Sequence, residues 1–86
     1  MPRVSEFYGI VIYMYWSDHP PAHFHAVYGE HEARIRIDDG TVLVGRLPRR
    51  AGHLVAEWLD LRREELAANW ARAQDQEPLL PIEPLQ

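Results

Sequence analysis

From His31 to Asp38 the chain alternates without a break, His31, Ala33, Ile35 and Ile37 on one parity and Glu32, Arg34, Arg36 and Asp38 on the other. A period of two over eight residues is a β-strand with one face in a core and one face polar. Whatever else the chain does, it must build a sheet with a covered side. Asp39-Gly40 follows at once; a type I′ turn needs positive φ at both central residues, and these two types supply it. Val42 to Leu47 therefore returns as the next strand. Upstream, a two-residue loop at Gly29-Glu30 would pair Tyr28 with His31, Val27 with Glu32, Ala26 with Ala33, His25 with Arg34, Phe24 with Ile35 and His23 with Arg36. The parities agree, since Phe24, Ala26, Tyr28, Ala33 and Ile35 share the core face. His23, His25, Arg34 and Arg36 share the other. A slip of one residue would bury the arginines.

The remaining elements are read from the same signals. From Phe7 to Trp16 both parities are apolar, which suits one central strand covered on both sides. Pro20-Pro21 then withholds two ladder donors and breaks the sheet. Pro48 fits the first turn of a helix, and good helix formers follow to about Ala73, with Ala51, Leu54, Val55, Trp58, Leu59 and Leu61 in a wide apolar arc. Beyond Arg62 that arc narrows to Leu66 and Trp70. The tail carries Pro78, Pro81 and Pro84, too many for a helix or a central strand. The expected fold is α+β: a four-stranded, mainly antiparallel sheet over 7–47, packed by one long C-terminal helix over 48–74, with an extended proline-rich tail over 75–86. Eighty-six residues leave room for a single core, so 1–86 is expected to be one domain.

Composition closes off several classes. With no cysteine there is neither a disulfide framework nor a thiolate metal site. The first six residues lack the apolar run of a secretory signal, and Phe7 to Trp16 is too short to cross a membrane. No membrane association is expected, and the expected location is the cytoplasm. The net charge of −4 argues against a wholly basic nucleic-acid binder. All nine cations are arginine. Arg49 and Arg50 fall in the first helical turn, where the dipole disfavours cations, and so point to an outside anion or acidic partner.

The concentrated candidate site is the segment Asp18 to His25. Two imidazoles two residues apart on a strand point the same way. With His19 or Asp18 they offer the nitrogen and oxygen ligands of a divalent transition metal such as zinc. Arg34 and Arg36 on the same face oppose a dication and suit an anion instead. In that case His23 and His25 would act as acid and base, with His19 in reserve and no cofactor. A third reading takes the group as an ordinary polar hairpin face. His31 is expected at a hairpin end and His53 on the helix surface. Trp70, Leu79, Leu80, Ile82 and Leu85 form a thinly occupied apolar set suited to binding a partner or a second copy of the chain.

Phe7-Tyr8-Gly9-Ile10, Asp18-His19, His23-Phe24-His25, Tyr28-Gly29, Glu32-Ala33, Leu47-Pro48, Glu57-Trp58, Asn69-Trp70 and Glu83-Pro84-Leu85 together resemble the bacterial family of small proteins called domain of unknown function 4160. The resemblance implies a second small protein encoded nearby, an arrangement similar to a toxin-antitoxin pair. On that basis the chain is expected to be one component of such a module. It would be an RNA-cleaving effector using the His/Arg face, or alternatively a non-enzymatic, antitoxin-like interaction protein or a histidine metal-binding domain.

Overall fold

The computed structural model describes residues 2–86 as five strands followed by one helix. The strands are β1 (Arg3–Phe7), β2 (Ile10–Tyr13), β3 (His23–Tyr28), β4 (His31–Arg36) and β5 (Val42–Gly45), and the helix is α1 (Arg49–Gln74). They form one antiparallel meander in the order β1-β2-β3-β4-β5. Among the described residues no helix is long and apolar enough to cross a membrane.

The sheet has five strands where the sequence suggested four. Phe7 to Trp16 is not one strand: Tyr8 and Gly9 turn the chain with φ of 51° and 80°, so that Phe7 pairs with Ile10 and Glu6 with Val11. Apolar residues on both parities hid the turn, because periodicity cannot show a reversal inside a uniformly apolar run. Ile10, Ile12 and Met14 are buried, whereas Val11, Tyr13 and Tyr15 are half-buried.

The β3–β4 ladder has the six pairs that alternation requires, from His23 with Arg36 to Tyr28 with His31. Beyond it, Gly45 with φ of 74° lets β5 lie against β4; a Cβ there would stand 2.1 Å from the Glu32 carbonyl oxygen. That same oxygen accepts the Arg46 N–H at 3.2 Å.

Helix α1 lies on the face that carries Phe7 and Phe24. The Trp58 ring meets Phe7 at 5.2 Å and Phe24 at 5.7 Å between centroids. Arg62 departs from helical geometry at φ −121° and ψ 17°, so the helix kinks there. Leu61, expected in the apolar arc, is exposed. The second half buries Leu66, Asn69 and Ala73 instead.

What covers that second half is the chain's own C-terminus. Residues 77–86 have no helix or strand, yet Ile82 and Leu85 are buried and join the core. Asn69, a fully buried amide, donates to the Leu80 carbonyl at 2.8 Å and accepts the Leu80 N–H at 3.0 Å. Trp58 Nε1 donates to the Glu83 carbonyl at 2.8 Å, and the Ile82 N–H donates to the Val4 carbonyl at 2.8 Å. Of the apolar set proposed for a partner, Ile82 and Leu85 are thus used within the chain, Trp70 and Leu79 pack against the core, and Leu80 stays exposed.

Two substitutions test this architecture. Asn69→Ala removes both hydrogen bonds to the Leu80 backbone and should lower unfolding free energy by about 1–3 kcal/mol, at about 0.5–1.5 kcal/mol for each hydrogen bond lost. Gly45→Ala should cost about 1–3 kcal/mol or more through strain at positive φ and collision with Glu32. Urea unfolding followed by tryptophan fluorescence measures both. Deleting 78–86 should also destabilise the fold, where an independent tail would leave the midpoint unchanged.

Candidate functional site

Strand β3 carries His23 and His25 to one face and Phe24 and Ala26 to the other, and all four are buried. The histidine face is therefore not a solvent surface, although it lies opposite the helix-covered core. Tyr15 meets the His25 ring edge-on at 4.6 Å between centroids. Trp70 of α1 sits 5.3 Å from His23. The segment between β2 and β3, which includes a cis Pro20–Pro21 peptide, closes over the strand.

That segment is pinned to the end of α1. The Ser17 N–H donates to the Ala73 carbonyl at 3.3 Å, Trp16 Nε1 donates to the Glu77 carbonyl at 2.8 Å, and Gln74 Nε2 donates to the Asp18 carbonyl at 3.1 Å. Gln76 also bonds the Ser17 hydroxyl. The Asp18 side chain is thereby set over the two imidazoles. Its Oδ2 lies 3.0 Å from His23 Nε2 and 3.2 Å from His25 Nε2.

The other ring nitrogens have their own acceptors. His23 Nδ1 is 2.8 Å from the Pro21 carbonyl, and since a carbonyl only accepts, Nδ1 carries the proton. His25 Nδ1 faces the Glu32 carboxylate at 3.4 Å. Both Nε2 atoms are left turned toward Asp18, and His23 Nε2 is buried without a hydrogen-bond partner. One ligand atom from each of Asp18, His23 and His25 lies within 4.8 Å of the others.

The remaining candidates divide. His19 is exposed, and it is its backbone N–H that meets Asp18, at 2.9 Å on Oδ1. Arg36 is held by Asp39 at 3.1 Å. Arg34 is exposed across from His25, and among the described residues it makes no ion pair. Tyr15, Trp70 and the Pro21 carbonyl complete the surroundings of the histidines, and pattern reading could not have found them as a set, because tertiary packing brings them in.

Electrostatics follow from these contacts. Burial alone would raise the Asp18 carboxyl, but hydrogen bonds from His25 and from the His19 N–H, with the charges of His23 and His25, outweigh it and hold the group below its ordinary value. Burial raises the Tyr15 phenol, with Glu32, Tyr13 and Asp18 adding to the effect and Arg34 opposing it.

A family model described as Domain of unknown function (DUF4160) matches residues 9–71. The match takes in Asp18, His23, His25, Glu32 and Trp70. No curated protein and no solved structure matches the chain.

The lowered Asp18 carboxyl has a signed consequence. A carboxylate whose folded pKa is depressed contributes stability that is complete above the ordinary value of about 3.9 and is lost as pH falls through the folded value. Denaturant unfolding at descending pH should show the wild type losing stability relative to Asp18→Asn below about pH 4. Parallel curves would mean that the two imidazoles do not hold the carboxylate.

Proposed function

The chain belongs to the DUF4160 family, a description that carries no chemistry, and from the site's geometry we propose that it is a metal-binding domain. Asp18, His23 and His25 would hold one divalent transition metal, zinc being the simplest match to two imidazoles and a carboxylate. The observation that carries this reading is the convergence of lone pairs. His23 Nδ1 is committed to a carbonyl, so Nε2 is the ring nitrogen left for a ligand, and it faces Asp18 Oδ2 3.0 Å away. His25 Nε2 aims at the same oxygen. When both rings are neutral, three electron-rich atoms converge at one half-buried point, and a divalent cation would hold them there in place of the ring protons that pair with Asp18 when the imidazoles are charged.

The distances suit one. Around zinc, bonds of about 2.0–2.1 Å put neighbouring ligand atoms roughly 3.3 Å apart, close to the 3.0 and 3.2 Å found to Asp18, and the two imidazole nitrogens, within 4.8 Å of each other, would close on the ion as it binds. The outer contacts suit it too: metal-bound histidine donates its far N–H to a carbonyl or carboxylate, which fixes the ring and raises its basicity. Pro21 and Glu32 offer those acceptors. Three protein ligands leave a coordination position for water or an outside ligand, the pattern of reactive zinc sites.

A second reading has one observation in its favour. Arg34 is exposed and unpaired across from His25 among the described residues, which suits an anion such as an RNA phosphate and an effector role in a toxin-antitoxin-like module. Against it, His23 and His25 point at Asp18 and are 5% exposed each. A general acid or base must reach its substrate.

Calorimetric titration of the chelator-treated chain with zinc should give one site per chain. His23→Ala or His25→Ala should abolish it, and Glu32→Gln should weaken it by about 10- to 100-fold. Affinity should fall as the solution is acidified, because the metal displaces protons. No zinc uptake, with salt-sensitive RNA binding that requires Arg34, would replace this reading with the second.

A further inference from the structure

Of the charged side chains on the histidine face, Glu32 turns to His25 and Arg36 to Asp39. Arg34 is exposed and makes no ion pair among the described residues. The β3–β4 register sets it directly opposite His25. Residues so paired stand with Cβ atoms about 4.5–5.5 Å apart on one face, a gap that an arginine side chain spans with length to spare. Its charge is felt at the Tyr15 phenol, whose ring meets His25 at 4.6 Å. A fixed positive charge this close to a metal weakens the site unless something negative comes between them.

Charge says what that something is. Counted without the imidazoles, Asp18, Glu32 and Arg34 carry a single net negative charge, so the empty site has no attraction for an anion. A divalent ion requires both imidazoles to be neutral, and once it is bound, the two carboxylates, the guanidinium and the ion together carry one positive charge. A single monoanion then completes the balance. Access to the ion is narrow. The Asp18 side chain is 20% exposed and those of His23 and His25 are 5% and 7% exposed, so an outside group reaches the ion past the carboxylate. A nucleic-acid backbone, with a sugar on either side of each phosphate, is too bulky for that approach.

We propose that the fourth position on the ion takes the carboxylate of a small molecule, one oxygen on the metal and the other on the Arg34 guanidinium. This rests on the metal reading above and names the ligand class of the same site. A carboxylate has what both partners need: an oxygen that zinc accepts as a ligand, and a second for the planar fork of arginine, which binds such groups through charge-assisted hydrogen bonds. Arg34 is thus a binding residue for the outside ligand and no part of the metal's own cage. The order of binding follows, metal first and carboxylate second. A phosphate dianion would bring one charge too many.

Cobalt(II) in place of zinc gives the test a visible absorption band that moves when the fourth ligand changes. The full chain, metal-free and cobalt-loaded, is titrated at about pH 8, above the ordinary histidine range, with acetate, acetamide, inorganic phosphate and a short RNA. Acetate should move the band saturably and acetamide should not, while the nitrogen-15 correlation spectrum of the metal-free chain should ignore acetate. Arg34→Gln should weaken acetate by roughly tenfold or more and yet hold cobalt as tightly as the wild type or more tightly, a split that general loss of structure would not produce. No uptake of cobalt would sink the metal reading and this proposal with it. Cobalt uptake with a band indifferent to acetate, acetate binding undiminished by Arg34→Gln, acetate binding to the metal-free chain, or tighter binding of phosphate or RNA would overturn this proposal alone.

Discussion

Strand β3 is buried on both faces, and much of the molecule is arranged around that fact. On one face Phe24 and Ala26 take the helix, with Trp58 across Phe24. On the other the buried residues are imidazoles, which cannot be covered without partners: an unpaired polar group out of water costs about 1–3 kcal/mol. The chain supplies a backbone carbonyl at Pro21, a carboxylate at Glu32 and a second at Asp18. Holding Asp18 in place requires the loop after β2 to be tied to the end of α1, and it is, through Ser17, Trp16 and Gln74. Fold and candidate site are therefore one set of contacts, and a change at His23 or His25 acts on both.

How much of this was legible depended on whether a pattern had two distinguishable values. Strand β4 alternates apolar with polar, so its register against β3 followed from parity and a two-residue loop, and all six pairs agree. The turn of the β1–β2 hairpin lies at the start of a run apolar on both parities, where reversal leaves no mark except Gly9, and β1 itself precedes that run with polar Arg3, Ser5 and Glu6; the other turn residue, Tyr8, takes a positive φ of 51° that few side chains adopt. Parity also says which residues share a face, never whether that face is covered. That is why His23 and His25 were grouped correctly with the arginines and yet proved buried.

The tail shows the same limit from another side. Its prolines excluded helix and central strand, and its apolar residues required a surface. Nothing local told whether that surface was a partner's or its own. The deciding residue is Asn69, a poor helix former inside α1, whose amide matches one N–H and one carbonyl of Leu80. A buried asparagine in mid-helix is a sequence signal of a bound backbone segment, though it names no segment.

The charge of the site bears on the two chemistries that the sequence left open, and it favours the metal reading proposed above. Two arginines on the histidine face weighed against a dication, because fixed positive charge near a metal is costly at low dielectric. In the structure Arg36 is neutralised by Asp39, which leaves Arg34 alone. Against it stand Asp18, on both Nε2 atoms, and Glu32, on His25 Nδ1. Apart from the imidazoles, two carboxylates and one guanidinium sum to a single negative charge, which a divalent cation would offset and a phosphate would add to. Arg34 is exposed, and water screens it more than it screens the half-buried Asp18.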